Sequence, residues 1–258
     1  MMTPIVHQTT ILGAETDMNN ETALAGVATP AWDLSVDTPV VSGVTLPRCA
    51  DGVKDLVQTQ EITKRCSDVV LALTGIVLTL PLWALIAVAV KLSGKGPVFF
   101  SQERAGLGGR PFRMFKFRSM VVDAEDRLAE YVKIEELDQP VYKLKDDPRV
   151  TGVGRFLRRF GLDELPQLLN VLRGEMSLVG PRPEVVPLVE RYTPEQRRRL
   201  LVKPGITGYQ QIHNRGMPDM AARLVYDLYY LRYRNMTLDL WILVMTVFVI
   251  TSGEEITY

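Results

Sequence analysis

Cysteine and histidine are almost missing from this chain: 258 residues contain two of each, Cys49 and Cys66, His7 and His213. Two cysteines at that spacing make neither a disulfide framework nor a Cys-rich zinc site, and their scarcity fits a reducing compartment. Two histidines argue against a Ser-His-Asp hydrolase. No G-x-x-x-x-G-K-[ST], G-x-G-x-x-G or H-E-x-x-H occurs, which removes the P-loop, dinucleotide-binding and zincin chemistries. Net charge is lacking too, since 30 basic residues balance 30 acidic ones. No overall field draws nucleic acid, and no reading motif accompanies the basic run Arg197-Arg198-Arg199. The N-terminal MMTPIVHQTTILGA has no basic region followed by a sustained apolar run, so it does not read as a secretory signal. The soluble part is expected on the cytoplasmic side.

What is present is a long uncharged stretch, VVLALTGIVLTLPLWALIAVAV, from Val69 to Val90. As a straight helix it would measure roughly 33 Å, at about 1.5 Å per residue, which matches a hydrocarbon core of about 30 Å. Pro81 interrupts it, removing a backbone donor and leaving the carbonyl of Val77 without its helical partner, a defect that Thr79 or Thr74 is available to relieve. Lys64 and Arg65 precede the stretch, and Lys91 and Lys95 follow it, so the distribution of positive charge gives no orientation for a crossing. A kinked span and a re-entrant hairpin both remain open on these features. Residues 1–60, rich in Thr, Asp, Asn, Gly and Pro with no stable period, read as a mobile leader. Residues 61–92 form the membrane segment, and 93–258 a surface-bound domain.

That domain reads as α+β and mostly helical. SGKGPVFFSQERAGLGGRPFRMFKFRSM gives two strand-like runs around Gly106, Gly108 and Gly109, a hairpin. In its second run Lys116 and Arg118 point away from Phe115 and Phe117, a pattern that also describes a solvated strand face. A short helix from Val153 sets Val153, Phe156, Leu157 and Phe160 against Arg155, Arg158 and Arg159. Thr193-Pro194-Glu195-Gln196 has the form of a capping box, and Arg197 to Arg199 then suit solvent or lipid headgroups. Leu238 to Ile250 is too short to cross a bilayer unaided and is expected to lie on a surface or pack in a core, with Trp241 at an interface.

The chemistry concentrates in RFLRRFGLDELPQLLNVLRGEMSLVGPRPE. Asp163 reads as an N-cap and Glu164 as a first-turn acid, ahead of a helix that buries Leu165, Leu168, Leu169 and Leu172. An Asp-Glu pair at a helix start is ordinarily just capping. Its company is less ordinary: Arg158 upstream, Arg182 between two prolines, and the Lys116 and Arg118 face. A diphosphate needs cations, free helix-terminal amides and usually Mg²⁺, which takes one or two protein carboxylates and completes its shell with phosphate oxygens and water.

KRCSDVVLAL, VFFSQERAGLGGRPFRMFKFRSM, LDELPQLLNVLRGEMSLVGPRP, KPGITGYQQIHNRG and the apolar C-terminal helix stand in the order found in the bacterial sugar transferases, the monotopic polyprenyl-phosphate phosphoglycosyl transferases. The resemblance covers roughly Lys64 to Tyr258. It implies transfer of sugar-1-phosphate from a UDP-sugar to undecaprenyl phosphate with release of UMP, initiating a surface polysaccharide or glycoconjugate that downstream glycosyltransferases extend. It implies Asp163 as a nucleophile that becomes covalently phosphorylated by the sugar phosphate, Glu164 as a Mg²⁺ ligand, and Lys116, Arg118, Arg158, Arg182 and Arg215 as phosphate or nucleotide contacts. It also implies a re-entrant helix broken at Leu80-Pro81, both ends cytoplasmic, in the inner membrane of a bacterium. Two departures stand out: relatives often have Ser-Pro at the break, and Asn-Gly where this chain has His213-Asn214. A non-catalytic membrane scaffold or regulator is the competing reading, and a lost dyad or arginine would be its mark; neither is lost.

Overall fold

The computed structural model describes residues 51–133, 136–141, 144, 147–213 and 219–251. The expected leader therefore lies almost wholly outside the described residues, as does Arg215. The first helix, α1, runs from Asp51 to Leu92, so it starts ahead of the boundary expected at residue 61. Its portion Glu61–Leu92 is long and apolar enough to cross a membrane.

One stripe of α1 packs on the rest of the domain. Ala72 and Ile76 meet Leu168 and Val171 of α3 (Gln167–Arg173), and Ile86, Val90 and Trp83 meet Phe117 and Leu157. These positions recur with the helical period of about 3.6 on both sides of Pro81. The opposite face leaves Val70, Val77, Leu78, Leu85, Val88 and Leu92 exposed. A helix of a soluble protein would turn polar residues outward there, so this face is fitted to an apolar surrounding.

At Leu80-Pro81, where the break is expected, helical structure continues through the proline. Thr79 does not serve the Val77 carbonyl. Its hydroxyl donates to the carbonyl of Gly75 at 2.6 Å and accepts from the Trp83 indole at 3.0 Å. The reach of a threonine in a regular helix is one turn back, to residue i−4, and packing of the same stripe above and below the proline holds the two halves in register.

Both ends of the apolar portion of α1, Glu61–Leu92, are pinned to the same domain. At the start, Lys64 contacts Asp239 Oδ2 at 2.5 Å, and Arg65 donates to the carbonyls of Val171 and Leu172 at 2.5 and 2.8 Å. At the end, Arg118 donates to the carbonyls of Val90, Gly94 and Lys95 at 2.9, 2.9 and 2.6 Å. The first of those bonds satisfies a carbonyl that the helix terminus leaves without a helical partner, and the other two hold the turn that follows it.

The hairpin forms as read: β1 (Phe99–Ala105) pairs antiparallel with β2 (Pro111–Phe117), Phe99 opposite Phe117 and Phe100 opposite Lys116. A second pair, β3 (Ser177–Val179) and β4 (Gly205–Thr207), is parallel. α2 (Gly152–Arg159) is capped by Thr151, whose hydroxyl accepts from the Gly154 amide at 2.9 Å. α4 (Val186–Glu190) and α5 (Pro194–Arg197) follow, and the capping box at Thr193 is complete, with both side chains bonded to the opposing amides. The arginines after it part ways. Arg198 stays at the surface with Glu195, whereas Arg199 is 3% exposed and pairs at 2.8 Å with Asp227 of α7 (Met220–Tyr233). The lipid- or solvent-facing role expected for Arg199 is thus replaced by an internal one. α6 (Tyr209–His213) precedes α7. α8 (Met236–Thr251) buries Ile242 and exposes Leu240, Val244, Val247 and Phe248, an apolar outer face like that of α1.

Candidate active site

The sequence around the dyad folds into a tighter arrangement than a capped helix. Gly161, at φ 64°, turns the chain out of α2 in a conformation that favours glycine. The residues Leu162–Glu164 then form a single 3₁₀ turn, and α3 begins only at Gln167. Asp163 therefore caps nothing; Pro166 precedes α3 and no side chain caps it. The buried residues of α3 are Gln167, Leu168, Asn170 and Val171; of the four leucines expected, Leu168 is buried and Leu165 and Leu172 are partly buried against the same cluster.

Asn170 explains how the strand and the dyad are held together. Its side-chain oxygen accepts from the Phe115 amide at 3.0 Å, and its nitrogen donates to the Arg113 carbonyl and to Glu175, both at 2.7 Å. β2 is thereby fastened to α3, and Lys116, the next residue along, reaches the dyad. Its ammonium lies 2.9 Å from Glu164 Oε1 and 4.0 Å from Asp163 Oδ2. Arg182 donates to the same Glu164 oxygen at 2.9 Å. Glu164 is thus clamped by two cations, while Asp163 is 2% exposed and its Oδ1 has no hydrogen-bond partner.

The electrostatics split the two carboxyls. Burial would raise Glu164, but Arg182 and Lys116 outweigh it and hold the group at about 2. Burial also raises Asp163, and the neighbouring negative charge of Glu164 adds to it; Lys116, Arg158 and Arg182 oppose without cancelling. Asp163 therefore sits above its ordinary value. Lys116 is lowered by burial, with the two carboxylates pulling the other way. Adjacent acids pushed apart in this manner are typical of functional sites.

A cleft of about 650 Å³ opens beside the dyad, with Lys116, Ser119, Arg158, Glu164 and Arg182 on its wall. Asp163 is not on that wall. Arg158 donates from Nε to the Ser119 hydroxyl at 2.9 Å, a partner 39 residues away that no local pattern points to. Gly154 makes the approach of α2 possible, because a Cβ there would lie 1.8 Å from the Ser119 carbonyl oxygen. Arg118 also borders the cleft, but its guanidinium closes the end of α1 and does not join the dyad. Sequence reading missed Asn170, and it missed Arg199, whose Nη2 donates to the Arg182 carbonyl at 3.2 Å and so supports the loop carrying that arginine. A polar residue at a buried phase, as in Leu169-Asn170-Val171, was the available signal for the first.

Among the described residues no three His, Cys, Asp or Glu side chains gather to hold a metal. A Mg²⁺ ion that relies on one or two carboxylates and on substrate oxygens needs no such cluster. The carboxylate of Glu164, on the cleft wall, fits that kind of ion.

The sequence pattern of the bacterial sugar transferases matches residues 59–253. The chain belongs to that family. It is 44% identical over 195 residues to the UDP-glucose:undecaprenyl-phosphate glucose-1-phosphate transferase of Escherichia coli, covering 72% of this chain and 40% of that protein. It is 40% identical over 193 residues to the galactosyl transferase CpsE of Streptococcus agalactiae, covering 74% of this chain and 43% of CpsE. With the exopolysaccharide production protein ExoY of Sinorhizobium fredii the identity is 40% over 190 residues, 72% of this chain and 84% of ExoY. The chain thus spans about two fifths of the longer relatives and most of the shorter one, and the family's region contains the dyad, its cations and the apolar portion of α1.

Proposed function

We propose that this protein transfers sugar-1-phosphate from a UDP-sugar to undecaprenyl phosphate, in a pathway of exopolysaccharide or other surface glycan synthesis. The observation that carries the reading is the dyad itself: Glu164 neutralised by Lys116 and Arg182, next to a buried Asp163 whose Oδ1 no hydrogen bond restrains. In the first step a side-chain rotation brings that oxygen to the cleft, where it attacks the sugar-bearing phosphorus. The P–O bond to UMP breaks, and UMP leaves with the bonding electrons. In the second step an oxygen of the lipid phosphate attacks the same phosphorus and Asp163 is released as carboxylate. Two displacements let a soluble donor and a lipid acceptor use one site in turn.

Lys116, Arg182 and Arg158 orient the phosphates and offset the charge that accumulates on their oxygens. Glu164 would hold Mg²⁺, which supplies Lewis-acid polarisation of the phosphates when bound. The pinning of both ends of the apolar portion of α1 to one domain supports a monotopic attachment on the cytoplasmic face, with the outer faces of α1 and α8 in lipid. A scaffold without turnover would have no use for the uncommitted Asp163 oxygen. Incubation with a UDP-sugar and Mg²⁺ in the absence of lipid acceptor is expected to release one UMP per protein and to add one sugar phosphate to the peptide containing Asp163, detected by mass spectrometry. An adduct elsewhere, or none, overturns the nucleophile.

A further inference from the structure

The cleft changes character along its wall. Around the dyad it is cationic, but where it reaches the end of α1 its lining includes Pro97, Phe99 and Val122. Phe99 is 49% and Val122 66% exposed. The core below does not require the Phe99 ring to be there: Phe117 is fully buried beneath it, stacked at 5.2 Å, and already meets the Trp83 indole edge-on at 5.5 Å. Val122 lies against the Gly96 turn that Arg118 ties to the last carbonyls of α1. Two large apolar side chains thus stand open at the mouth of a charged cleft, beside a helix whose outer face, through Leu85, Val88 and Leu92, is apolar.

On the reading proposed above, we infer that Phe99 and Val122 form an apolar lip that takes the prenyl chain of the lipid phosphate as its headgroup passes to Lys116. An amphiphile matches a surface that runs from apolar to cationic within one cleft, continuous with a lipid-facing helix. A nucleotide sugar has no apolar chain to place there. Lys116 and Phe117 point to opposite faces of β2, so the path curls round the open end of the hairpin, where Pro97, Phe99 and Arg118 line it.

The test compares two acceptors with the full-length protein in lipid nanodiscs: undecaprenyl phosphate, and dimethylallyl phosphate, which carries the same headgroup on a single isoprene unit. Both residues are exposed, so Phe99→Ser with Val122→Ser leaves the core intact. The expected result is a fall of about tenfold in kcat/KM for undecaprenyl phosphate, equivalent to roughly 1.4 kcal/mol of lost apolar contact. The value for dimethylallyl phosphate and the UMP burst without acceptor stay unchanged, and Phe99→Leu with Val122→Leu restores the long acceptor. An unchanged ratio between the two acceptors overturns the lip, as does loss of the burst in the folded serine variant. A wild-type protein that turns over both acceptors without a burst sinks the covalent step alone, and the ratio still decides the lip. No turnover at all removes the functional reading and the lip together.

Discussion

Two places in this molecule set a lysine between two carboxylates. At the dyad, Lys116 faces Glu164 and Asp163 at 2.9 and 4.0 Å. At the root of α1 and α8, Lys64 faces Asp239 and Asp68 at 2.5 and 3.9 Å. The second group is a joint. Asp239 Oδ1 accepts from the Tyr230 hydroxyl at 2.8 Å, Asp68 Oδ1 accepts from the Leu178 amide at 3.2 Å, and the adjoining cavity measures about 50 Å³. The first group keeps one carboxylate oxygen without a hydrogen bond and adjoins about 650 Å³. Residue types do not separate a site from a fastening. An uncommitted buried atom beside open volume does, because only there does bonding capacity remain for a substrate.

The strongest way to break this comparison is to substitute the paired aspartates. Asp163→Asn is expected to lower kcat by on the order of 10⁶-fold, the scale seen when a nucleophile is removed, with little change in melting temperature. Asp239→Asn is expected to do the reverse: activity within about threefold, and a stability loss of about 2 kcal/mol from a part-buried pair left incomplete, read by thermal unfolding. Activity lost equally in both would erase the distinction.

The lysines come next. Lys116→Met should reduce kcat/KM by about 10² to 10³, the usual cost of losing one charge-stabilising donor, whereas Lys64→Met should leave kcat/KM near the wild-type value.

The titration of the dyad sharpens the contrast further. Because Asp163 is raised above 3.8, the acidic limb of kcat/KM should lie above the ordinary aspartate range. Lys116 lowers that group, so Lys116→Met should move the limb to higher pH; a limb that stays put would show that another group sets it. For stability the sign is opposite for the partner. Glu164 falls from 4.5 to about 2, so its contribution is complete above about pH 4.5 and disappears as pH drops towards 2. Asp163, raised on folding, instead favours the native state at low pH and opposes it once ionised.

Smaller effects are expected away from both lysines. Arg118→Ala should cost about 2 kcal/mol, through three carbonyls left at the end of α1, while the KM for the UDP-sugar stays unchanged. A raised donor KM would return Arg118 to phosphate binding. Thr193→Ala should cost about 1 kcal/mol, the usual worth of an N-cap, and leave catalysis untouched.

The pattern of correct and incorrect expectations has a physical cause. The hairpin, the capping box and the apolar C-terminal helix were legible because each depends on residues within a few positions of one another: glycines where φ is positive, Thr and Gln three apart, a run of apolar residues. The arginines were not. Arg118, Arg158, Arg182 and Arg199 look alike in the chain, yet one closes a helix, one meets Ser119, one clamps Glu164 and one is buried against Asp227. A long cationic side chain reaches whatever acceptor the fold brings near, and that acceptor is up to 39 residues away in these four cases.

By itself, the order of residues determined the membership of this chain in its family, the presence of an Asp-Glu pair with cations in supply, and an apolar segment suited to lipid. Only the tertiary structure decided which oxygen was left uncommitted, which cations reached the pair, and which side of α1 faced outward. Those outcomes depend on contacts between distant segments, where burial and competition among acceptors assign each charge its partner.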